Sequence, residues 1–442
     1  MLDLRYRTIL SVAIPLMGSS FIQSVVMITD SSFLSRYDTI AFDAAGNGGL
    51  LYITLFIAMI GMSDGAQILM ARRIGQDKQN LLARIFGTTL FVNLLLALFL
   101  FLLIQFVLPS VIMSYTVNKE IGLGQIEFIG IRGYAFFFAV VSLAINAYFM
   151  AIGRTMMVLI SAGVVAISNI GLDYLLIFGQ MGLPEMGLKG AAIASTISEA
   201  IGMLFLVLVL FFSASSKKHE LFSQLRVNWI SFREVLKLGT PIMLQGLVAL
   251  TTWTVFFAWI EQMGTHELTI SQNIRSLYFL AFVPIWGFSS TTKTYVSQYV
   301  GMKDYKSIKI IIRRIQLLTV LFLFVFFHGA LLYPEQMIAM INPNPAYLKE
   351  STEILRFVSG SVLIYGLGNV YFHTISGSGN TRFTFYVEVL SVIVYMISAY
   401  LLIKVYQVSI YWVWSVEYIY FVCMGALSLG YLKFFNWQKK EI

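Results

Sequence analysis

Long apolar runs dominate this chain, and short polar segments separate them. Twelve runs are long enough to cross a membrane as helices, which takes about 20 residues each. They lie near residues 8–34, 47–71, 85–109, 124–150, 156–179, 188–212, 235–260, 271–298, 310–333, 350–374, 383–406 and 409–433. Helices satisfy their backbone hydrogen bonds internally, which a medium without water requires. The pattern predicts an all-α integral membrane protein with twelve transmembrane helices.

The composition indicates the same class of protein. Of the 442 residues, 58% are hydrophobic and 12% are charged, whereas soluble domains carry about 25% charged residues. The net charge of +8 does not indicate a nucleic-acid partner, because the basic residues lie at the ends of the apolar runs. With the N-terminus placed in the cytoplasm, 21 of the 30 Lys and Arg residues fall on the cytoplasmic side and 5 on the other. This asymmetry predicts a multi-pass protein of the cell (inner) membrane with both termini in the cytoplasm.

The second half of the chain repeats the first. Matching segments recur at a constant offset of 226 residues: 13–17 with 239–243, Gly61 and Gly75 with Gly287 and Gly301, 153–155 with 379–381, and 174–177 with 400–403. We therefore predict two homologous six-helix lobes, an N-lobe at 1–213 and a C-lobe at 235–442, joined by a cytoplasmic linker at 214–234. Such lobes commonly rock about a substrate site between them. A monomer is expected, because each lobe already has a partner.

Two carboxylates stand inside the apolar runs of the first half. Asp30 in span one and Asp173 in span five each lie within about six residues of the outer end of their span, at similar depth. Asn169 is one helical turn before Asp173 and shares its helix face. Thr196 and Glu199 on span six are candidates to join them from a neighbouring helix. An ionisable group within a span is costly and indicates function by default.

These oxygen-bearing side chains suit a small cation. Carboxylate, amide and hydroxyl oxygens can hold Na⁺, and a buried pair of carboxyl groups equally suits a proton. The sequence leaves both ions open, and a hydrogen-bonded packing cluster is the structural alternative. The acids occur once, because at the 226-residue offset Asp30 corresponds to Phe256 and Asp173 to Ala399. A purely structural role would be expected in both halves, so we predict coupling to H⁺ or Na⁺ here and no other cofactor or metal.

The remaining charged residues within spans carry weaker signals. Asp64 and Lys293 lie in equivalent spans of the two halves, three residues apart in the repeat register. Together with Glu199 they are candidates for a central cavity. Asp64 and Lys293 also fit positions in water at the cytoplasmic ends of their spans. No role follows from the sequence for Glu388 and Glu417.

Several segments resemble the multidrug and toxic compound extrusion (MATE) family. They are Pro15 with residues 29–36, the stretch from Gly61 to Gly75, residues 153–155, and residues 172–179 followed by 186–192. The resemblance extends over nearly the whole chain, including the repeat of six spans. It implies export of cationic, amphipathic drugs or metabolites by alternating access of two lobes, coupled to inward movement of H⁺ or Na⁺.

The same resemblance implies a location for the cation site. The family's N-lobe site falls on Asp30, Asn169 and Asp173, with Thr196 as a further member. Some members also use acids on spans seven and ten, but here the cores of both spans lack an acid. That departure favours coupling through the N-lobe alone. The expected partners are a cationic small molecule and membrane lipid.

Other functions would leave different signatures in the sequence. A flippase for lipid-linked saccharides, from the same superfamily, tends to place several basic residues in its cavity, whereas basic residues within the spans are few here. A channel would need a symmetric ring of pore residues, which the asymmetric acids do not provide. An enzyme is not expected, because the four histidines are scattered without metal-ligand spacing and no nucleophile motif appears. Gly182 and Gly187 have the Walker spacing, but Leu188 stands where Lys is required.

Overall fold

Helices form at all twelve predicted places. The computed structural model describes residues 2–116, 118–222 and 225–439, and this part of the chain contains no strand. The long helices are α1 (Tyr6–Tyr37), α2 (Thr39–Gly75), α3 (Gln79–Ser114), α4 (Lys119–Arg132 and Ala135–Ala151), α5 (Met156–Ile177), α6 (Gly187–Phe212), α7 (Trp229–Glu261), α8 (Thr265–Gly301), α9 (Tyr305–Phe327), α10 (Pro345–Gly377), α11 (Thr381–Val405) and α12 (Ile410–Phe434). Short helices at Ala214–Lys218, Gly329–Leu332 and Pro334–Ile341 lie between them. The predicted all-α fold is confirmed.

Most of these helices are long enough and apolar enough to be identified as membrane spans. Ten are long and apolar enough, and the two parts of α4, bent by 47°, make an eleventh candidate among the described residues. The remaining helix, α8, has 37 residues but is less apolar, because its second half carries buried hydroxyl groups. Ser289, Thr291 and Thr292 donate to carbonyl oxygens four residues back at 2.7–2.8 Å, so these polar side chains are satisfied within the helix. The chain is a multi-pass membrane protein, as predicted.

The chain divides into two compact units. One comprises Ile14–Met243, and the other comprises Met1–Ala13 together with Leu244–Ile442. The start of the chain belongs with the second unit, where the hydroxyl of Tyr299 donates to the carbonyl oxygen of Leu2 at 3.0 Å. The dividing points therefore fall inside α1 and α7. The division into lobes at 1–213 and 235–442 with a linker at 214–234 stays a prediction.

Within the first unit, α2 and α7 approach each other at their backbones. A Cβ atom on Gly65 would lie 2.6 Å from the Cα and N atoms of Gly239. One on Gly61 would lie 2.5 Å from the Cα and N atoms of Met243. Gly61 and Gly65 are one helical turn apart, the spacing of small residues that lets membrane helices pack closely. A larger residue at either position requires one of the helices to move.

Polar contacts hold the segment between α6 and α7 on the first unit. The ring of His219 lies between the hydroxyl of Tyr148, 2.7 Å from its Nδ1, and the side-chain oxygen of Gln79, 3.1 Å from its Nε2. Further along, the backbone N–H of Asn228 donates to the hydroxyl of Thr88 at 3.1 Å, and at the start of α7 Glu234 pairs with Arg73 at 2.6 Å. The described part of this segment is therefore packed against helices of the first unit.

Acidification should loosen this segment through His219. Burial, followed by the charges of Lys218 and Arg154, lowers the pKa of His219 below its ordinary value. The unfolded segment therefore binds a proton more readily than the folded one, and stability present at neutral pH is lost as the pH falls below about 6.5. We expect limited proteolysis near His219 to accelerate as the pH is lowered from about 7.5 to about 5.5. His219→Gln, which keeps polar atoms but does not titrate, should show no such acceleration; equal acceleration in both proteins would contradict this origin.

Candidate functional site

Helices α1 and α5 bring the two predicted acids together inside the first unit. Near the start of α5 the helices are so close that a Cβ atom on Gly18 would lie 2.8 Å from a methyl carbon of Leu159. Near the other end, the rings of Phe33 and Phe178 meet edge to face with centroids 5.9 Å apart. Asp30 lies one turn before Phe33. Contacts at both ends of α5 thus fix the register that places Asp30 beside this helix.

The carboxyl groups of Asp30 and Asp173 interact directly. Asp173 has no solvent exposure, and Oδ1 of Asp30 is buried. Apart from the facing carboxyl group, no donor among the described residues reaches Oδ1 of Asp30 or either oxygen of Asp173. Two unit charges about 4 Å apart repel by about 4 kcal/mol at an effective dielectric constant of about 20. A proton or a cation between the two groups removes that repulsion.

Two further polar side chains lie near the acid pair: Asn169 on α5 and Ser195 on α6. Asn169 is 1% exposed, and its Nδ2 donates to Oγ of Ser195 at 3.3 Å. Its Oδ1 is buried, and no donor among the described residues reaches it. Thr196, the predicted fourth member, donates to the carbonyl oxygen of Ala192 at 2.8 Å, within its own helix. Asn169 therefore contacts Ser195 on α6, which the sequence did not predict, and the part of Thr196 in cation binding stays a prediction.

Glu199 pairs with an arginine to which the sequence analysis assigned no role. Nη2 of Arg132 lies 2.6 Å from Oε1 of Glu199. The hydroxyl of Tyr52 donates to the same carboxylate at 3.2 Å, and the guanidinium lies over the Tyr52 ring, 4.1 Å from its centroid. Phe136 stacks on that ring with centroids 5.0 Å apart. The ion pair is thus held in aromatic surroundings, and Arg132 is buried.

A bend in α4 explains the position of Arg132. The first part of α4 ends at this residue, and the second part continues at an angle of 47°. A basic side chain in the last turn of a helix is favoured by the helix dipole. Near the bend, the carbonyl oxygen of Gly130 accepts a hydrogen bond from Gln105 at 2.9 Å. An arginine inside the fourth apolar run was the signal in the sequence, since lipid makes a cation as costly as an acid.

The other two predicted cavity residues lie in different units. Asp64 is half-buried in α2. Lys293 is buried in α8, where its charge acts on the half-buried His373. Their role in a common cavity stays a prediction.

The second unit has no counterpart of the acid pair at the equivalent positions. Phe256 and Ala399, which correspond to Asp30 and Asp173 in the repeat register, are fully buried in an apolar core. In place of two charges, this core contains aromatic contacts such as that of Phe256 with Tyr395, whose ring centroids are 5.3 Å apart. The repeated scaffold thus carries chemically different interiors in its two copies.

Two buried acids of the second unit have hydroxyl donors. Glu417 accepts hydrogen bonds from Tyr395 at 3.1 Å and from Tyr278 at 3.5 Å. Glu388 accepts one from Tyr420 at 2.6 Å. Buried polar groups of a stable interior are normally satisfied in this way. The acid pair of the first unit differs because its carboxyl groups face each other without such donors.

Oxygen atoms provide the ligands of the candidate site. The buried Oδ atoms of Asp30, Asp173 and Asn169 that lack a donor suit a proton or a hard cation rather than a soft metal. In the part of the chain that the structure describes, no group of three or more His, Cys, Asp and Glu residues is placed to hold a metal ion. This set of oxygen ligands therefore fits either H⁺ or Na⁺.

Fold and site together define a multi-pass, all-helical membrane protein built as a tandem repeat, with one carboxyl pair inside its first half. The sequence model of the MatE family matches residues 15–175 and 241–401. The two matches begin and end 226 residues apart, which is the offset of the internal repeat. The chain belongs to the MatE family, and the predicted family is confirmed.

Relatives match almost the whole chain. Probable multidrug resistance protein NorM of Thermotoga maritima is 25% identical over 99% of this chain and 94% of its own length. Probable multidrug resistance protein YoeA of Bacillus subtilis is 21% identical over 97% of this chain and 93% of its own length.

Solved structures share the fold. An outward-facing multidrug resistance MATE family transporter of the MOP superfamily matches with a TM-score of 0.89 at 16% identity, covering 99% of this chain and 97% of that one. A MOP superfamily transporter from Pyrococcus furiosus matches with a TM-score of 0.85 at 16% identity, covering 97% and 94%. The all-helical membrane fold predicted from the sequence is thus the fold of these transporters.

Proposed function

We propose that this chain is a secondary active antiporter that exports cationic, amphipathic molecules in exchange for H⁺ or Na⁺. The coupling cation binds between Asp30 and Asp173, beside Asn169. One observation carries the proposal: two buried carboxyl groups face each other, and no other described residue donates a hydrogen bond to their buried oxygens. Charge placed there at such cost supports a functional role rather than a packing role.

Antiport requires the coupling cation and the substrate to compete for the protein, and the acid pair provides a negative charge for which both compete. When it is empty, it holds two negative charges away from water, and it attracts any cation that can reach it. A proton or Na⁺ removes the repulsion between the carboxylates. A cationic substrate is attracted most strongly when the pair is empty. Binding of one cation therefore weakens binding of the other, and exchange follows when the two enter from opposite sides of the membrane.

Family membership and the names of the relatives support the nature of the cargo. The relatives carry the name of probable multidrug resistance proteins, which fits the export of drugs or metabolites. We place the protein in the cell (inner) membrane with both termini in the cytoplasm, working as a monomer surrounded by lipid. Alternating access of the two repeats carries the cargo across, with H⁺ or Na⁺ as the coupling ion.

Ethidium efflux from proteoliposomes tests this function. The purified protein is reconstituted, ethidium is loaded, and a pH gradient or a Na⁺ gradient is imposed in separate experiments. We expect efflux faster than from protein-free liposomes under one of the two gradients, and that gradient identifies the coupling ion. Absence of efflux under both gradients would contradict the proposal and favour the alternative, a flippase for lipid-linked saccharides.

A further inference from the structure

We propose that Arg132 is a resident counter-charge that competes with the coupling cation for the Asp30–Asp173 pair, and that Glu199 holds Arg132 away from that pair. The inference rests on the proposed antiport and deepens it. It assigns to two further side chains the control of how tightly the acid pair binds its cation.

Of the two terminal nitrogens of Arg132, one has a hydrogen-bond acceptor among the described residues. Nη2 pairs with Glu199 at 2.6 Å, and the ring of Tyr52 lies beneath the guanidinium. The other terminal nitrogen, Nη1, is buried, and no acceptor among the described residues receives a hydrogen bond from it. A buried charged donor without an acceptor is costly. The guanidinium therefore has an unused donor.

The acid pair has buried oxygen atoms that could accept hydrogen bonds from Arg132. Both oxygens of Asp173 and Oδ1 of Asp30 are buried without a donor from any other described residue. The charge of Arg132 interacts with Asp30, Asp173 and Glu199. Three carboxyl groups thus share one guanidinium, which can serve Glu199 or the pair but cannot neutralise all of them.

This arrangement gives Arg132 two alternative partners. With the pair empty, its two negative charges draw the guanidinium away from Glu199. With a cation bound, that attraction falls, and Arg132 returns to Glu199 and Tyr52. Arginine has a long, flexible side chain and a planar fork of donors, which such an exchange requires. The resident charge also keeps the cation from binding too tightly, so that it can leave in each cycle.

The internal repeat supports the view that these four charged residues act as one unit. At the 226-residue offset, every one of them is replaced by an uncharged residue: Asp30 by Phe256, Asp173 by Ala399, Arg132 by Val358 and Glu199 by Gly425. The uncharged partner Tyr52 corresponds to another tyrosine, Tyr278. An ion pair needed only for packing would have no reason to be absent together with the acid pair.

Two single substitutions should shift the cation dependence in opposite directions. The measured quantity is the concentration of coupling cation that gives half-maximal ethidium efflux from proteoliposomes. Arg132→Gln should lower it on the order of tenfold, because the competing charge is gone. Glu199→Gln should raise it on the order of tenfold, because Arg132 loses the partner that holds it away from the pair. Arg132→Lys, which keeps the charge, should stay within about threefold of wild type.

The outcomes separate this inference from the function on which it rests. A role in packing alone would lower the maximal rate of both variants and leave the half-saturating concentration unchanged, which would overturn the inference. Shifts of the same sign would overturn it as well. A wild-type protein without cation-driven efflux would overturn the antiport itself, and this inference with it. If size-exclusion chromatography shows that Arg132→Gln does not fold, Glu199→Gln still tests the inference: an unchanged half-saturating cation concentration in this variant would overturn it.

Discussion

Replacing Asp173 by asparagine should reduce cation-driven ethidium efflux at least about tenfold, and Asp30→Asn should do the same. Asparagine has nearly the size of aspartate but carries no charge, so the pair loses the repulsion that draws in a proton or Na⁺. We expect the helices to stay packed, because Asp173 accepts no hydrogen bond from another described residue apart from the interaction with Asp30. Efflux rates from proteoliposomes, under the gradient that drives the wild type, provide the measurement.

Asp77→Asn is the matched control for this experiment. Asp77 is exposed in the turn after α2, with a backbone φ of 56°. Asparagine tolerates this left-handed conformation well, so the same chemical change is made outside the membrane without strain. This variant should export ethidium at the wild-type rate. If Asp173→Asn and Asp30→Asn also export at that rate, the acid pair is not the coupling site.

Gly65→Ala should destabilise the first unit by about 1–3 kcal/mol, the range for added volume in a packed interior. The added methyl group would lie 2.6 Å from backbone atoms of Gly239 on α7, which cannot rotate away as a side chain could. The helices must separate, and the contacts around the crossing of α2 and α7 weaken. The midpoint of thermal unfolding in detergent, followed by size-exclusion chromatography, measures the effect.

Gly163→Ala provides the comparison for this helix crossing. A Cβ atom on Gly163, in the middle of α5, would meet no heavy atom within 4 Å. Alanine is favoured over glycine in a helix by up to about 1 kcal/mol, so this variant should be as stable as the wild type or more stable. Equal unfolding midpoints for Gly65→Ala and Gly163→Ala would show that the close approach of α2 and α7 does not limit stability.

The sequence predicts the helices and the acid pair because each has a local cause. Runs of about 20 apolar residues are sufficient to predict membrane spans. Asp30 and Asp173 stand out because lipid makes a charge within a span expensive. The run at 271–298 predicts α8 in the same way, although buried hydroxyl groups make this helix less apolar than the others, and the repeat makes it equivalent to α2.

The features that the sequence did not predict depend on contacts between residues that are far apart in the chain. Glu199 lies 67 residues after Arg132, and only the packing of α4 on α6 brings them together. The hydrogen bond of Asn169 to Ser195 depends on how α6 is rotated about its axis, because adjacent residues of a helix point about 100° apart. The dividing points of the two compact units inside α1 and α7 likewise follow from packing rather than from composition.

Release of the coupling cation on substrate binding is the most direct test of cation exchange at the acid pair. Ethidium is added to the purified protein in detergent, and the cation released is measured, as protons in weak buffer or as radioactive sodium from protein loaded beforehand. We expect wild-type protein to release one of these ions as ethidium binds, and the double variant Asp30→Asn, Asp173→Asn to release neither. Ethidium binding by the wild type without release of either ion, or equal release from the double variant, would contradict the assignment of the acid pair as the site of exchange.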